Sequence, residues 1–121
     1  MPTTPFFTIV TATYNAAEVL SGLLDSLTAQ TCQSFEVLIQ DGGSSDATVE
    51  IIAGYKDRLN VRWASEKDSG IYDAWNKALP AARGEWILFL GADDRLDAPD
   101  VLERCFGVMR DLPCGVLYAG G

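Results

Sequence analysis

Short apolar runs and helix-like patterns alternate along this chain from one end to the other. Runs rich in strand-forming residues predict strands, and apolar residues that recur every three or four positions predict helices. The predicted strands are Phe6–Ala12, Phe35–Gln40, Val61–Ala64, Glu85–Leu90 and Val116–Tyr118. The predicted helices are Ala16–Gln30, Ala47–Tyr55, Ile71–Leu79 and Asp97–Leu112. This alternation predicts an α/β fold with one open, mostly parallel sheet and helices on both faces.

Several residues indicate where these elements end and which of them are buried. Asn15 is predicted to cap the first helix, and Pro80 is predicted to end or kink the third because proline lacks a backbone donor. The fourth strand is predicted to be central and the third to lie nearer an edge, with the first four strands in the order 3-2-1-4. Trp75 and Trp86 lie inside periodic patterns and are predicted core residues, whereas the position of Trp63 stays open.

Length and composition predict the number of domains, the ligands that the net charge disfavours, and the cellular location. The 121 residues fit one domain, and the net charge of −8 argues against non-specific binding to nucleic acid or anionic membrane. No apolar run approaches the roughly 20 residues of a membrane span, and the first residues do not resemble a secretory signal, which predicts a cytoplasmic protein. The three scattered cysteines, Cys32, Cys105 and Cys114, are predicted to be reduced, inert thiols.

Polar side chains follow each of the first four predicted strands. The segments are Thr13–Asn15, Asp41–Asp46, Ser65–Gly70 and Gly91–Asp94. In open parallel sheets, ligands bind beyond the carboxyl ends of the strands, near the point where the strand order reverses. The sequence therefore predicts a functional site at this edge of the sheet.

The adjacent carboxylates of Asp93 and Asp94 follow the most apolar strand. Neighbouring carboxylates repel each other and stay ionised most easily beside a cation, and Mg²⁺ prefers oxygen ligands together with substrate phosphates. The pair therefore predicts a metal site. The alternative is that Asp93, Asp94 and Asp97 only cap the following helix.

Two further groups at this edge have alternative interpretations. Tyr14 could stack on a nucleobase, or it could be a boundary residue with a buried ring and a wet hydroxyl. The loop Asp41–Asp46 could bind a base or ribose through its carboxylate, or it could be a turn capped by Ser44, Ser45 or Asp46. Capping and binding are compatible in this loop.

Taken together, these residues resemble the GT-A-fold, family 2 glycosyltransferases, particularly bacterial polysaccharide-assembly enzymes. The similar blocks are Phe7–Asn15, Gln30–Thr48, Glu66–Ala78 with its D-x-G-I-Y-D-A-x-N-K pattern, and Ala82–Asp94 with a DxD-like metal motif. The resemblance runs from about residue 6 to the C-terminus. Four ordered blocks at family-like spacings are more specific than any single motif.

The resemblance implies a nucleoside-diphosphate sugar donor, Mg²⁺ or Mn²⁺, and inverting transfer to a saccharide or lipid-linked acceptor, in polysaccharide or cell-surface glycan assembly. It implies that Tyr14 and the Asp41 loop hold the nucleoside and that Asp93 and Asp94 lie near the diphosphate and the metal. The implied substrate-binding residues are Thr13, Tyr14, Asp41, Asp68, Gly70, Asn76 and Asp93, and the implied metal ligands are Asp93 and Asp94.

The sequence departs from the family pattern in two places. Many members carry a second acidic residue, which often contacts the base, where this chain has Gly42; Asp41 could substitute for it. The family's catalytic base lies well downstream of the metal motif, in the acceptor-binding half, and no residue up to Gly121 matches it. We therefore expect residues 1–121 to be a nucleotide-sugar-binding portion without the acceptor-binding part, unable to transfer sugar alone.

Three other functional classes make different demands on the sequence. A non-catalytic or truncated nucleotide-binding protein would bind the same ligand and transfer nothing. A phospho-accepting signalling domain gathers acidic residues at its first strand, whereas this first strand ends in Tyr14 and Asn15. A nucleotidyltransferase would normally have a glycine-rich, basic phosphate loop near the N-terminus, and this sequence has none.

Overall fold

The structure is a computed structural model that describes residues 5–67, 70–111 and 115–118. Its strands are β1 (Phe7–Thr13), β2 (Phe35–Asp41), β3 (Val61–Ser65), β4 (Trp86–Phe89) and β5 (Gly115–Tyr118). Its helices are α1 (Leu20–Thr28), α2 (Thr48–Ala53), α3 (Ile71–Ala78) and α4 (Val101–Met109), with a 3₁₀ turn at Leu79–Ala81. The sheet has the order β3-β2-β1-β4-β5, and its four strand pairings are all parallel. The predicted α/β class and the predicted order of the first four strands are confirmed.

The two faces of the sheet are covered by different helices. Successive residues of a strand point to opposite faces, so Ile9 joins the larger core cluster and Val10 joins the smaller one. The larger cluster also contains the apolar sides of α1, α2 and α4, represented by Leu20, Leu23, Leu24, Leu27, Ile52, Leu102 and Met109. Ala78 of α3 packs into the smaller cluster. This arrangement confirms that helices lie on both faces.

The tryptophans lie in or against these clusters. Trp75 packs against the smaller cluster, with its ring centroid 4.4 Å from that of Phe89. Trp86 and Trp63 are half-buried against the larger cluster. Trp75 and Trp86, predicted as core residues, are therefore partly buried at the margin of the core, and Trp63, whose position was left open, is partly buried in the same way.

Helix ends differ most from the sequence prediction. Helix α1 begins at Leu20 instead of Ala16, and its cap residue Val19 makes no side-chain cap hydrogen bond, so the prediction that Asn15 caps this helix is wrong. Helix α4 begins only at Val101, after Pro99, because a residue that precedes proline is disfavoured in helical geometry. Helix α3 gives way to the 3₁₀ turn around Pro80, as predicted.

A buried charge network closes the amino-terminal edge of the sheet. The carboxylate of Glu36, only 2% exposed, accepts hydrogen bonds from Thr8 Oγ1 at 2.7 Å, Arg62 Nη2 at 2.6 Å and the Arg83 backbone N–H at 2.6 Å. Burial by itself raises the pKa of Glu36, but these hydrogen bonds and the charge of Arg62 outweigh it and hold the pKa below its usual value. One carboxylate thus fastens β1, β2, β3 and the segment before β4 together.

Gly84 allows the chain to pass close to β1 at this edge. Its backbone N–H donates to Thr8 Oγ1 at 2.7 Å. A Cβ at this position would lie 2.5 Å from the backbone nitrogen of Thr8 and 2.6 Å from the backbone carbon of Phe7. Because backbone atoms cannot move aside as a flexible side chain can, only glycine fits here without a shift of the strand.

The structure bears on the predictions about membrane spans and cysteines. Among the described residues, no helix is long and apolar enough to cross a membrane. The cytoplasmic location stays a prediction. Cys32 and Cys105 are free thiols, as predicted, and Cys114 lies outside the described residues.

Candidate functional site

The carboxyl ends of β1 and β2 and the segment that joins β3 to α3 surround a cavity of about 540 Å³. Its described lining residues are Ala12, Thr13, Tyr14, Gly42, Gly43, Lys67, Gly70 and Ala74. Cavities of roughly 300–1,000 Å³ with a few convergent polar groups are the usual size for small-molecule sites. The cavity opens at the edge of the sheet at which the sequence placed the functional site.

Asp41, at the end of β2, lies behind the wall of this cavity and is completely buried. Its carboxylate accepts five hydrogen bonds, from Thr13 Oγ1 at 2.7 Å, Ser44 Oγ at 2.6 Å, Ser65 Oγ at 2.8 Å, and the backbone N–H groups of Gly43 at 3.1 Å and Ser44 at 2.8 Å. The carboxylate therefore organises three strand ends. Its expected contact with the nucleoside stays a prediction.

These hydrogen bonds also decide the charge state of Asp41. Burial by itself raises its pKa, but the hydrogen bonds from Ser44, Thr13 and Ser65 outweigh this effect and lower the pKa below its usual value. The carboxylate is therefore ionised at neutral pH. Its negative charge is stabilised by neutral donors from the loops that shape the cavity.

A second set of hydrogen bonds joins the loop after β1 to the loop after β2. Asn15, with a φ of 47°, accepts from the Ser45 backbone N–H at 2.8 Å through Oδ1, and its own N–H donates to Ser44 Oγ at 2.8 Å. The Ala16 N–H donates to Thr48 Oγ1 at 2.9 Å, and the Ala17 N–H donates to Asp46 Oδ2 at 3.2 Å. Asn15 therefore ties two loops together and holds the residue before it in place.

Of the three capping candidates in the second loop, only Asp46 contacts the first residue of α2. Its carboxylate accepts from the backbone N–H of Thr48 at 3.0 Å and from the Thr48 hydroxyl. The hydrogen bond from the Thr48 hydroxyl is the largest cause that lowers the pKa of Asp46. Ser44 and Ser45 instead bond to Asp41 and Asn15, so the loop is held by its neighbours more than by helix capping.

Tyr14 is presented to the cavity by this arrangement. It is 66% exposed and lines the cavity between the ends of β1 and β2. The interpretation of Tyr14 as a boundary residue with a buried ring is therefore wrong. An exposed aromatic ring on a rigid strand end is suited to stacking against a nucleobase, as the alternative interpretation held.

The carboxylates of Asp93 and Asp94 converge beside Gly91, just after β4. A Cβ added to Gly91 would lie 3.2 Å from Asp93 Oδ1 and 3.2 Å from Asp94 Oδ2. Asp94 Oδ2 also accepts from the Gly91 backbone N–H at 2.7 Å, which fixes that side chain against its own turn. Asp93 is exposed, and Asp94 is half-buried. The glycine thus leaves room for two carboxylates on the same side of the turn.

The structure removes the alternative in which this pair caps the following helix. Helix α4 begins at Val101, seven residues beyond Asp94, and its cap residue Asp100 makes no side-chain cap hydrogen bond. Within the described part of the chain, no cluster of three or more His, Cys, Asp or Glu side chains could hold a metal by itself. A metal at Asp93 and Asp94 would therefore need further oxygen ligands from a substrate or from water.

Three other predicted site residues come from the segment around α3. Gly70 lines the cavity at the start of α3 and has a φ of 128°, a conformation that L side chains rarely adopt. Asn76 is exposed and lies two positions along the helix from both Ala74 and Ala78, which are buried. It therefore lies on the other side of the helix, and it is not among the described residues that line the cavity. Asp68 lies outside the described residues.

Lys67 lines the cavity, although the sequence analysis did not select it. A signal was present, because Lys67 is the one basic residue in the four polar strand ends. Its backbone lies beside Gly43, whose added Cβ would be 3.6 Å from Lys67 N. A single lysine in a polar segment matches no sequence motif, so the sequence alone does not select Lys67. The fold of the segment between β3 and α3 places it at the cavity.

Comparison with known proteins gives a consistent family. Residues 8–120 match the family described as Glycosyl transferase family 2. A PGL/p-HBAD biosynthesis glycosyltransferase of Mycobacterium bovis (strain BCG / Pasteur 1173P2) is 44% identical over 102 residues, which cover 83% of this chain and 40% of that protein. This chain therefore spans less than half the length of that relative.

Two solved structures share the fold. TarS of S. aureus, residues 1–349 in complex with UDP-GlcNAc, has a TM-score of 0.82 and 29% identity over 87% of this chain and 31% of that one. The mannosyltransferase PcManGT from Pyrobaculum calidifontis, in complex with GDP-Man and Mn²⁺, has a TM-score of 0.81 and 27% identity over 89% of this chain and 33% of that one.

Proposed function

The chain belongs to the family 2 glycosyl transferases, and from this premise we propose that its cavity binds the nucleoside of a nucleoside-diphosphate sugar. The diphosphate would lie toward β4, where Asp93 and Asp94 would hold a divalent metal, Mg²⁺ or Mn²⁺. In the whole protein, the sugar would be transferred with inversion to a saccharide or lipid-linked acceptor during assembly of a polysaccharide or cell-surface glycan.

One observation carries this proposal: the cavity lies across β1 from a pair of converging carboxylates. Tyr14 presents an exposed ring on the cavity side, and Asp93 and Asp94 follow β4, the strand that pairs with β1 on its other side. A ligand with an aromatic base at one end and a diphosphate at the other matches this layout. The complexes of TarS with UDP-GlcNAc and of PcManGT with GDP-Man and Mn²⁺ support the same ligand class.

The carboxylate pair fits a hard divalent cation. Mg²⁺ is usually held by one or two carboxylates, with substrate phosphates and water as the other ligands. Both carboxylates lie 3.2 Å from the point that a Cβ of residue 91 would occupy, so glycine at this position leaves the space between them open. We propose Asp94 as the direct ligand or the closer of the two, and Asp93 as a contact to ribose or metal-bound water.

The residues of this chain would then bind and orient the donor. The ring of Tyr14 would stack on the base, and the loops held by Asp41 and Asn15 would enclose the nucleoside. When bound, the metal supplies charge stabilisation to the departing diphosphate. Attack by an acceptor hydroxyl also needs a positioned general base, and we assign no residue among 1–121 to that role.

Binding of a nucleoside diphosphate with and without Mn²⁺, measured by calorimetry, tests this proposal. Asp94→Asn keeps an oxygen that can accept from the Gly91 N–H but removes the charge, so it should abolish the Mn²⁺-dependent part of the affinity while the protein stays folded. Gly91→Ala should weaken the same part without changing any charge, because the new methyl group would crowd both carboxylates. Asp57→Asn, an exposed aspartate away from the cavity, is the matched control. Mn²⁺-dependent affinity that survives in Asp94→Asn would refute the metal assignment.

The proposal also predicts that residues 1–121 alone bind the donor without transferring sugar. A positioned base contributes about 10²–10⁴-fold to the rate, and orientation of the acceptor contributes further. Incubation with nucleotide-sugars, Mn²⁺ and saccharide or lipid acceptors should therefore give slow donor hydrolysis at most. A glycosylated product formed at an ordinary enzymatic rate, roughly 1–10³ per second, would show that the base lies within this chain.

A further inference from the structure

Lys67 is the only charged residue among the described residues that line the cavity. Asp41 is buried behind the wall, and its carboxylate is held by hydrogen bonds from Thr13, Gly43, Ser44 and Ser65. Position 42 is a glycine and offers no side chain to a ligand. Within the described part of the chain, the cavity thus offers a charged donor to its ligand and no carboxylate.

In the described part of the structure, the ammonium group of Lys67 forms no ion pair with another residue. Lys77 on α3, by contrast, contacts Asp73 at 3.3 Å and Glu66 at 3.7 Å and donates to the carbonyl oxygen of Lys67 at 3.0 Å. The Lys77 bond holds the backbone of Lys67 in place, and the Lys67 side chain is exposed at the cavity.

The position of Lys67 in the sheet decides which part of a nucleotide it can meet. Lys67 follows β3 and its backbone lies beside Gly43, which follows β2, whereas Asp93 and Asp94 follow β4. Neighbouring strands lie about 4.8 Å apart, so two to three strand spacings separate Lys67 from the carboxylate pair, roughly 10–14 Å. A diphosphate held at β4 would therefore place the base, and not the phosphates, beside Lys67.

We propose that Lys67 selects the base of the donor by donating a hydrogen bond to an exocyclic carbonyl oxygen, O4 of uracil or thymine or O6 of guanine. A lysine ammonium group has three donors and no acceptor, so its partner must be an acceptor. Cytosine and adenine carry amino groups at the corresponding positions and would leave the ammonium group unpaired against another donor. This inference rests on the proposed function and adds to it the chemical class of the base.

The decisive measurement compares ligands that differ in this one group. Wild-type protein, Lys67→Met, Lys67→Arg and the control Lys56→Met would be titrated with UDP, CDP, GDP, ADP and uridine in the presence of Mn²⁺. Calorimetry suits the diphosphates, and ligand-observed NMR suits the weaker uridine. Lys56 is an exposed lysine outside the cavity, and a urea transition for each variant confirms that it is folded.

We expect wild-type protein and Lys56→Met to prefer UDP to CDP, and GDP to ADP, by about tenfold or more, as is typical of a hydrogen bond to a charged group. Lys67→Met should lose this preference and should weaken UDP and uridine by the same factor, whereas Lys67→Arg should retain the preference. Equal affinity of the wild-type protein for UDP and CDP would overturn the inference. The inference would also be overturned if Lys67→Met lost the same affinity for UDP as for CDP and lost none for uridine. That result would mean that Lys67 contacts a phosphate group. If no nucleoside diphosphate binds to the wild-type protein, the proposed function itself fails.

Discussion

Strand β2 carries a buried carboxylate at each end, and the two have different roles. Glu36 at the amino end is 2% exposed, and Asp41 at the carboxyl end is 0% exposed. The pKa of each is lowered, because hydrogen bonds outweigh burial in both cases. Glu36 is paired with the guanidinium of Arg62, whereas the described donors to Asp41 are hydroxyl and backbone N–H groups.

The difference shows that burial and a lowered pKa do not by themselves identify a functional carboxylate. The donors to Glu36 belong to strands and to the turn before β4, and its bonds close the end of the sheet. The donors to Asp41 come from strand ends and a loop that border the cavity. The carboxylates themselves are similar, and only the position of their donors distinguishes Glu36, which joins the strands, from Asp41, which borders the candidate site.

Replacement of Glu36 should give the largest loss of stability in this comparison. Glu36→Gln leaves the N–H of Arg83 and the guanidinium of Arg62 without a charged acceptor, and we expect the free energy of unfolding to fall by about 2–4 kcal/mol. The lower end applies if Arg62, whose side chain is 39% exposed, regains water. Urea denaturation measures the loss, and Glu50→Gln, an exposed glutamate on α2, should change stability by less than about 0.5 kcal/mol. The folded variant should bind a nucleoside diphosphate as the wild-type protein does; weaker binding would link this edge to the site.

Gly84→Ala tests the same edge without changing a charge. The added methyl group would overlap the backbone of Thr8 and Phe7, so the strand must shift, and we expect a loss of about 1–3 kcal/mol. The matched control is Gly107→Ala on α4, where an added Cβ meets no atom within 4 Å and alanine should stabilise the helix by about 0.5–1 kcal/mol. Thermal denaturation of both variants gives the comparison. Equal melting temperatures for the two would show that the edge tolerates the shift.

Asp41→Asn should lower ligand affinity more clearly than Glu36→Gln does. The amide cannot accept all five hydrogen bonds, so Gly43 and Ser44 lose bonds to Asp41 and this part of the cavity wall is held less firmly. We expect affinity for a nucleoside diphosphate to fall about tenfold, which corresponds to about 1.4 kcal/mol, with a stability loss of about 1–3 kcal/mol. Calorimetry in buffer without urea, on protein shown to be folded, measures the affinity. Unchanged affinity would mean that the loop keeps its shape without the carboxylate.

The smallest effect is expected from pH. Because the pKa values of Glu36 and Asp41 are lowered in the folded protein, their contribution to stability is fully present above their ordinary values of 4.5 and 3.8. It is lost as the pH falls through the lowered values. The free energy of unfolding should therefore change little between about pH 7 and pH 5 and should decrease below about pH 4.5. In Glu36→Gln the decrease should be shallower than in the wild-type protein, and identical slopes in urea titrations at acid pH would contradict the assignment.

Much of the fold could be predicted from short-range patterns. The runs of β1 and β2 were located to within one residue at each end, because continuous apolar stretches with few polar residues suit strands that are covered on both faces. Helix ends were predicted less well, since α1 and α4 begin four residues later than their patterns suggested. Those starts depend on turns and long-range bonds, such as the bond from Leu102 N–H to Gln30 Oε1 at 3.1 Å.

The sequence by itself determined which residues stand at the carboxyl ends of the strands, because the bounds of each strand and the positions of the turns follow largely from local patterns. Tyr14 and the pair Asp93 and Asp94 could be selected on that basis. Only the tertiary structure decided that Asp41 is enclosed by donors, that Asn15 joins two loops, and that Lys67 lines the cavity. Each of these features depends at least in part on partners 24 to 30 residues away in the chain, and such partners meet only when parallel strands pair in register.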